Sequence, residues 1–272
     1  MTGKLLLLAS PIGNLADASP RLREALAAAD VVACEDTRRT AKLLASLGLK
    51  KSLLIYADHN EAEAARRVMR RLRAGETVAL LTDGGTPLVA DPGYPLLQKA
   101  LEADVEVDFI PGPSAALAGL VLSGLPPYPY LFLGYAPRRR AERLRFLEKY
   151  ASREATLVLF LTPHRLGAEL ADLIEAWGDR PAALARELTK VHQEVVRGKL
   201  SEIRAEVEAR PRKGEMTLVV AGAETPEPDQ AAALRLARDL LAEGLPPARA
   251  AAVAARAFGV PKTYIYREIR GG

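Results

Sequence analysis

Apolar residues fall along this chain in two alternating rhythms. Short runs in which nearly every position is hydrophobic, such as LLLLA at 5–9, VVAC at 31–34 and VALL at 78–81, take turns with longer stretches where apolar positions recur every three or four residues. The first rhythm is that of a strand buried on both faces, the second that of an amphipathic helix. Over the first part of the chain the pattern predicts strands at 4–9, 30–35, 52–56, 77–82 and 106–110. Between and after them it predicts helices at 20–29, 37–47, 60–74 and 94–103, and from Ser114 to about Gly124. Ser19 before Pro20 reads as an N-cap followed by proline at the first helical position, and Gly48 and Gly75 as helix stops. Strand alternating with helix is the pattern of a parallel sheet with crossover helices.

Residues 125–130, Leu-Pro-Pro-Tyr-Pro-Tyr, have neither period and read as a stiff linker. Alternation then resumes, with strands at 130–134, 156–161, 182–187 and 216–222 and helices near 139–151, 165–177 and 201–209; residues 193–198 are a candidate antiparallel strand. A second proline-bearing break at 225–229 precedes three alanine-rich, arginine-bearing helical stretches beginning near Gln230, Pro247 and Lys262. The expected fold is therefore α/β: two consecutive α/β domains, 1–124 and 125–224, and a small C-terminal helical module, 225–272. In that module Ala255, Gly259 and Ile265 have the spacing of a helix-turn-helix, although any small three-helix bundle can produce it.

Three loops interrupt the first set of strands in the same way. SPIGN at 10–14, the long TDGGTPLVADPG at 82–93 and PGPSA at 111–115 each follow an apolar strand and abandon strand formers for Gly, Pro and Asp. Glycine permits close approach to backbone, so Gly84 and Gly85 after a buried strand suggest main-chain contact with a ligand, with a plain tight turn as the alternative. Ligands of open α/β sheets bind beyond the carboxyl ends of the strands. Three such loops imply one crevice.

Composition narrows the class without naming the chemistry. At 272 residues, 49% hydrophobic and 26% charged, the chain suits a globular protein of more than one domain. No leader-like segment and no apolar stretch of the roughly 20 residues needed to span a bilayer is present, so a cytoplasmic protein away from membranes is expected. The single cysteine, Cys34, excludes an internal disulfide and a cysteine zinc site, and three scattered histidines give no metal spacing. The net charge of +4 is mild, but Arg138, Arg139 and Arg140 cluster, with Arg143 and Arg145 following, which hints at a polyanionic partner.

Neither GxGxxG nor GxxxxGK[ST] follows any strand, so the fingerprints of a Rossmann site and a P-loop are missing. The expected crevice is instead rich in acid, with Asp83 and Asp91 on the long loop and Glu35 and Asp36 after the second strand. Carboxylates repel phosphate by about 1 kcal/mol or more per close pair even when solvated. A cationic ligand fits better, and S-adenosylmethionine, with its sulfonium and α-amino groups, is the candidate.

The stretches SPIGNL, ACEDTRRT, HNE at 59–61, TDGGTPLVADPG, PGPSA, FLTPHR, ARELTK and KGEMTLVV occur in this order over nearly the whole chain. Together they resemble the tetrapyrrole-methylase superfamily of S-adenosylmethionine-dependent methyltransferases. Within it they are most similar to the branch that 2′-O-methylates the ribose of a decoding-centre cytidine in 16S ribosomal RNA. Two departures from the corrin-ring branch point the same way: the first loop has a single glycine, and Thr86 stands where a GDP-type loop has Asp. A small-molecule methyltransferase and a nucleic-acid-binding regulator without turnover remain as alternatives.

The resemblance implies that S-adenosyl-L-methionine lies in a cleft between the two α/β domains. Carried over by motif, Pro11, Ile12 and Gly13 border it; Asp83, Gly84, Thr86 and Val89 form its centre; Ser114 and Ala115 close it. From the second domain it implies Leu161, Thr162, Leu188, Met216 and Thr217. A ribose hydroxyl is a poor nucleophile while protonated, and Asp36, His59, Glu187 and Lys190 are the candidate bases, the lysine only if its pKa is lowered. Arg38, Arg39, Arg138, Arg139, Arg140, Lys262 and Arg267 are the candidate RNA contacts. The implied partner is 16S ribosomal RNA in the small ribosomal subunit, and the implied assembly a homodimer.

Overall fold

The computed structural model describes residues 3–224 and 229–271. The chain forms two compact units, Met1–Gly222 and Ala223–Gly272. The first unit begins with β1 (Lys4–Leu8), α1 (Pro20–Ala28), β2 (Val31–Cys34), α2 (Thr37–Ser46), β3 (Ser52–Ile55), α3 (Glu61–Arg73), β4 (Val78–Leu81), α4 (Tyr94–Glu102) and β5 (Glu106–Ile110). These five strands form one all-parallel sheet, in the order β3-β2-β4-β1-β5.

Why these strands carry no polar alternation is visible in their packing. Leu6 and Leu8 of β1, Val32 of β2 and Ala79 and Leu81 of β4 pack with Leu22 and Leu26 of α1 and Leu43 and Leu44 of α2. The intervening residues, Leu5 and Leu7, Val31 and Ala33, Val78 and Leu80, pack on the other face with Val68 and Leu72 of α3 and Leu96 of α4. From β1 the chain leaves for β2 over one face, and from its neighbour β4 it leaves for β5 over the other. Loops that diverge in this way open a crevice at the ends of adjacent strands.

Next come α5 (Ala115–Ser123), β6 (Tyr130–Tyr135), α6 (Arg140–Glu148), β7 (Thr156–Leu161), α7 (Leu166–Trp177), β8 (Pro181–Arg186), β9 (Glu194–Lys199), α8 (Leu200–Ala209) and β10 (Met216–Val220). The second sheet, ordered β6-β7-β10-β8-β9, is mixed: only β6 and β7 are parallel, and β10 runs against both its neighbours. The link from β8 to β9 is too short for a crossover, which forces an antiparallel pair at 194–199. Helix α5 packs on this second sheet, Ala116 and Leu120 meeting Val158 and Val219. Its close approach depends on Gly119, where a Cβ would stand 2.6 Å from Thr217 Cγ2.

The second unit is a three-helix cluster of α9 (Gln230–Ala242), α10 (Pro247–Phe258) and α11 (Lys262–Arg270). The expected break at 225–229 falls mostly outside the described residues, apart from Asp229, which caps α9 by accepting from Ala232 N–H at 2.8 Å. Gly259 ends α10 in the left-handed conformation at φ 64°, and Ile265 packs back fully buried. Ala250, Ala251 and Ala254 are the fully buried small residues of α10, whereas Ala255 is only half-buried.

Candidate active site

Backbone and side chains fasten the long loop after β4 at three points. Ser10 and Gly85 exchange backbone hydrogen bonds of 2.9 and 3.0 Å, which joins it to the loop after β1. Asp83 Oδ1 accepts from the Asp36 N–H at 3.1 Å, joining it to the start of α2. Glu61 Oε1 accepts from the Gly93 N–H at 2.7 Å, so the HNE stretch serves here to anchor the loop's far end. Between these ties Leu88 and Ala90 hold left-handed φ values of 69° and 65°, conformations that side chains other than glycine's rarely adopt outside functional loops.

The carboxyl ends of the first sheet and the start of β10 enclose a cavity of about 520 Å³. Pro11, Ile12, Gly13, Asp83, Gly84, Thr86, Val89, Ser114, Ala115, Leu188, Met216 and Thr217 all line it. Leu161 and Thr162 do not. Side chains alternate along β7, so Phe160 faces the cavity while Leu161, 3% exposed, turns into the core of the second sheet. Thr162 Oγ1 instead accepts from Arg165 Nε at 3.2 Å. Sequence reasoning missed Tyr135, whose ring stands 5.4 Å from that of Phe160, and Lys42 and Glu215 at the margin.

The four residues expected as bases are poorly placed or poorly tuned. The Arg38 side chain holds the Asp36 carboxyl down at about 2, and Asp36 also caps α2. His59 is exposed on a short 3₁₀ turn outside the cavity lining. Glu187 is lowered by the hydrogen bond from Lys190, whose Nζ lies 2.9 Å from Glu187 Oε1 and 3.2 Å from Glu215 Oε2. Burial pulls the Lys190 ammonium down, yet its bonds to Glu187 and Glu215 outweigh this and leave it above the ordinary lysine value. The lowered pKa that a lysine base requires is therefore missing. Asp91, which lines the cavity, is tuned in the direction a carboxylate base needs: burial first, then the charges of Glu35, Asp83 and Asp58, raise its carboxyl to about 7. The acid-rich loop was the available signal, but the residues that tune Asp91 are scattered in sequence.

The arginines separate as well. Arg39 lines the cavity, 3.7 Å from Asp83, and Arg38 is paired with Asp36 at 3.0 Å. Arg140 is committed to Asp172 at 2.9 Å and to Glu175, so its charge is largely neutralised. Arg139 lies 3.4 Å from Glu142, whereas exposed Arg138 has no acidic partner among the described residues. Lys262 and Arg267 lie on α11, the latter against Glu268 and stacked 5.7 Å over Tyr264.

These features suit a ligand with both charges and a flat base. The acid-rich crevice expected from sequence is only partly formed: Glu35 and Asp36 are not in the lining, where Asp83, Asp91 and Glu215 are matched by Arg39, Lys42 and Lys190, and Tyr135 and Phe160 supply an aromatic wall. A Cβ at Gly84 would meet no protein atom nearer than 3.5 Å, so packing within the protein does not demand a glycine there, and its bare backbone leaves room for a ligand to approach closely. Residues 4–204 match the family model of Tetrapyrrole (Corrin/Porphyrin) Methylases. The chain belongs to this family. Residues 227–268 match a second model, the RsmI C-terminal HTH domain. Among tetrapyrrole methylases, it is 42% identical to ribosomal RNA small subunit methyltransferase I of Micromonospora olivasterospora, over 99% of this chain and 87% of that one. The protein so named in Thermotoga maritima is 39% identical, over 82% of this chain and 100% of its own length. In fold the chain is similar to uroporphyrin-III C-methyltransferase from Thermus thermophilus complexed with S-adenosyl homocysteine, with a TM-score of 0.58, 21% identity and coverage of 80% and 96%.

Proposed function

We propose that this chain transfers a methyl group from S-adenosylmethionine to the ribose 2′-OH of a cytidine in 16S ribosomal RNA, within the small ribosomal subunit. The observation that carries the reading is the near full-length similarity to enzymes named ribosomal RNA small subunit methyltransferase I, joined to a cleft that sets Asp83 and Asp91 beside an open Gly84 backbone. When bound, the cofactor supplies a methyl group made electrophilic by its sulfonium. Asp83, Gly84, Thr86, Ser114, Met216 and Thr217 hold it through charge and main-chain contact. Asp91 takes the proton of the attacking hydroxyl, because a carboxylate near 7 is matched to that task at neutral pH. Asp36, Glu187 and Lys190 keep charged, paired states and hold the rim in place. Methyl transfer is an in-line displacement, so fixing the ribose against the cofactor can supply roughly 7–11 kcal/mol by orientation alone.

We further infer a cytoplasmic homodimer. Leu117 and Val121, one turn apart on α5, are 48% and 75% exposed, and an exposed apolar pair on an otherwise packed helix supports a self-association face. No helix of the described residues is long and apolar enough to cross a membrane. The deciding experiment offers labelled S-adenosylmethionine with 30S subunits, naked 16S RNA or a tetrapyrrole mixture. Label mapped to one cytidine ribose is the expected result, and label on the tetrapyrrole alone overturns it.

A further inference from the structure

A second concavity lies on the first unit, with no residue in common with the cleft. Between α3 and α4 runs a groove of about 720 Å³ whose walls carry Arg66, Arg67, Arg70, Arg73 and Lys99 against only Glu63 and Glu102. Five cations against two carboxylates give the groove a net charge of +3, set against +4 for the entire chain, so positive charge is concentrated here rather than spread evenly. Arg66, Arg70 and Arg73 recur at i, i+4 and i+7 and thus share one helix face, covering roughly 10 Å along its axis. Arg67 approaches Glu63 only to 3.9 Å, and Arg66, Arg70, Arg73 and Lys99 have no acidic partner within 4.0 Å among the described residues. All five are exposed.

Ordinary structural roles do not account for the arrangement. Cations in the last turn of α3 complement its dipole, which explains Arg70 and Arg73. It does not explain Arg66 in mid-helix, nor why Lys99 of another helix faces the same groove. Unpaired guanidinium forks in a concavity match phosphate oxygens, which they can bond in bidentate fashion. The groove also has a fixed relation to the cleft: α3 starts at Glu61, which binds Gly93 at the end of the cleft's long loop. At 1.5 Å per residue, Arg66 to Arg73 lie roughly 8–18 Å along the helix from that anchor. An RNA strand with one nucleotide in the cleft has backbone to place over this distance.

We propose that the α3–α4 groove is a docking site for the phosphodiester backbone of the RNA substrate, outside the catalytic cleft. It rests on the reading of the substrate as ribosomal RNA. A second anchor raises overall affinity and fixes register without altering the chemistry.

The test is an Arg66→Ala, Arg70→Ala, Arg73→Ala variant of the full chain, with Lys99→Glu as an independent change on the opposite wall. Affinity for 16S RNA is measured over a series of salt concentrations, alongside methylation kinetics and cofactor affinity. The expected result for the triple variant is RNA affinity lower by roughly 10-fold or more and a salt slope shallower by about 2–3, since each lost phosphate contact reduces it by about one. KM for RNA rises in both variants while kcat and cofactor affinity hold. Wild-type activity on RNA with unchanged slope and KM in both variants overturns the groove and leaves the substrate reading standing. A wild type that neither binds nor methylates RNA overturns both.

Discussion

Asp83 accepts the backbone N–H of Asp36 at 3.1 Å, so a carboxylate that faces the cleft also fixes the start of α2. The two duties can be separated by substitution. Asp83→Asn keeps an oxygen for the Asp36 N–H but removes the charge offered to a cationic ligand. It is expected to leave the melting temperature nearly unchanged and to weaken S-adenosylmethionine binding by about 1.5–3 kcal/mol, the range for hydrogen bonds to charged groups. Asp83→Ala also removes the acceptor and should lose roughly 1 kcal/mol of stability besides. Calorimetric titration and thermal melts decide it, and unaltered affinity in both variants removes Asp83 from the cofactor site.

The Asp91 carboxyl, raised to about 7 mainly by burial, predicts a pH limb. Only the carboxylate accepts a proton, so activity should rise about tenfold per pH unit below 7 and level off above it. Stability runs the other way. A carboxyl whose folded pKa lies above its unfolded value of about 3.9 favours the fold while protonated, and that contribution fades as pH rises from near 4 through 7. Asp91→Asn, permanently neutral, is therefore expected to abolish the limb and most of kcat, yet melt higher than wild type at pH 8.5 and not at pH 5. A variant with full kcat and the same limb sinks the assignment.

Helix α5 touches the second sheet through a position where no Cβ fits, Gly119 against Thr217. Gly119→Ala should push the helix off β10. Overpacking of this kind typically costs about 1–3 kcal/mol, which outweighs the better helix propensity of alanine. Ser114, Ala115 and Thr217 line the cleft at this contact, so cofactor affinity is expected to fall along with stability, read by melting and titration on the same samples. Destabilisation with intact affinity would show that the contact supports the fold alone.

The order of strands and helices was legible because strands buried on both faces spell continuous apolar runs, and the three loops because Gly, Pro and Asp displace every strand former. What the pattern could not carry is direction and distance. Runs of valine and leucine read the same whether β10 lies parallel or antiparallel to its neighbours, so its direction was invisible, although 193–198 already read as an antiparallel strand. Leu161 and Phe160 are equally apolar, and only the strand register decides which one faces the cleft. The tuning of Asp91 depends on Glu35, Asp58 and Asp83, which converge only in the fold. Arg140 looked like its neighbours until Asp172, on a different helix, took its charge.

That pairing divides the arginine run into testable parts. Arg143 is buried, donates to Asp172 at 2.7 Å and to the carbonyls of Pro137 and Arg138, and so shapes the loop that presents Arg138. Arg143→Ala leaves Asp172 buried without its main partner and is expected to cost about 3–5 kcal/mol of stability. Arg138→Ala should leave stability alone and reduce the salt slope of RNA binding by about one, as loss of a single phosphate contact does. Arg140→Ala should change that slope least of the three run positions. If Arg140→Ala flattens the slope more than Arg138→Ala, the ion pair with Asp172 does not withhold it from RNA.

The C-terminal unit offers the last prediction. Its helices bury a core of their own, with Ala233, Ala237, Ala251, Ala254, Val260 and Ile265 at its centre. The Thermotoga maritima relative, matched over its whole length, leaves unmatched about as much of this chain as this unit occupies. Catalysis by this chain is expected to proceed without it. Lys262 opens α11, where the positive end of the helix dipole also favours phosphate, and Thr263 and Arg267 are exposed on the same helix. Removing everything after Gly222 should therefore leave S-adenosylmethionine affinity intact and lower RNA methylation through a higher KM with kcat preserved, since a lost anchor weakens binding without touching the reacting groups. Lys262→Ala with Arg267→Ala in the full chain should reproduce part of the rise. Full activity of the truncated protein sinks the docking role, while loss of cofactor binding on truncation would make these helices a support for the cleft instead.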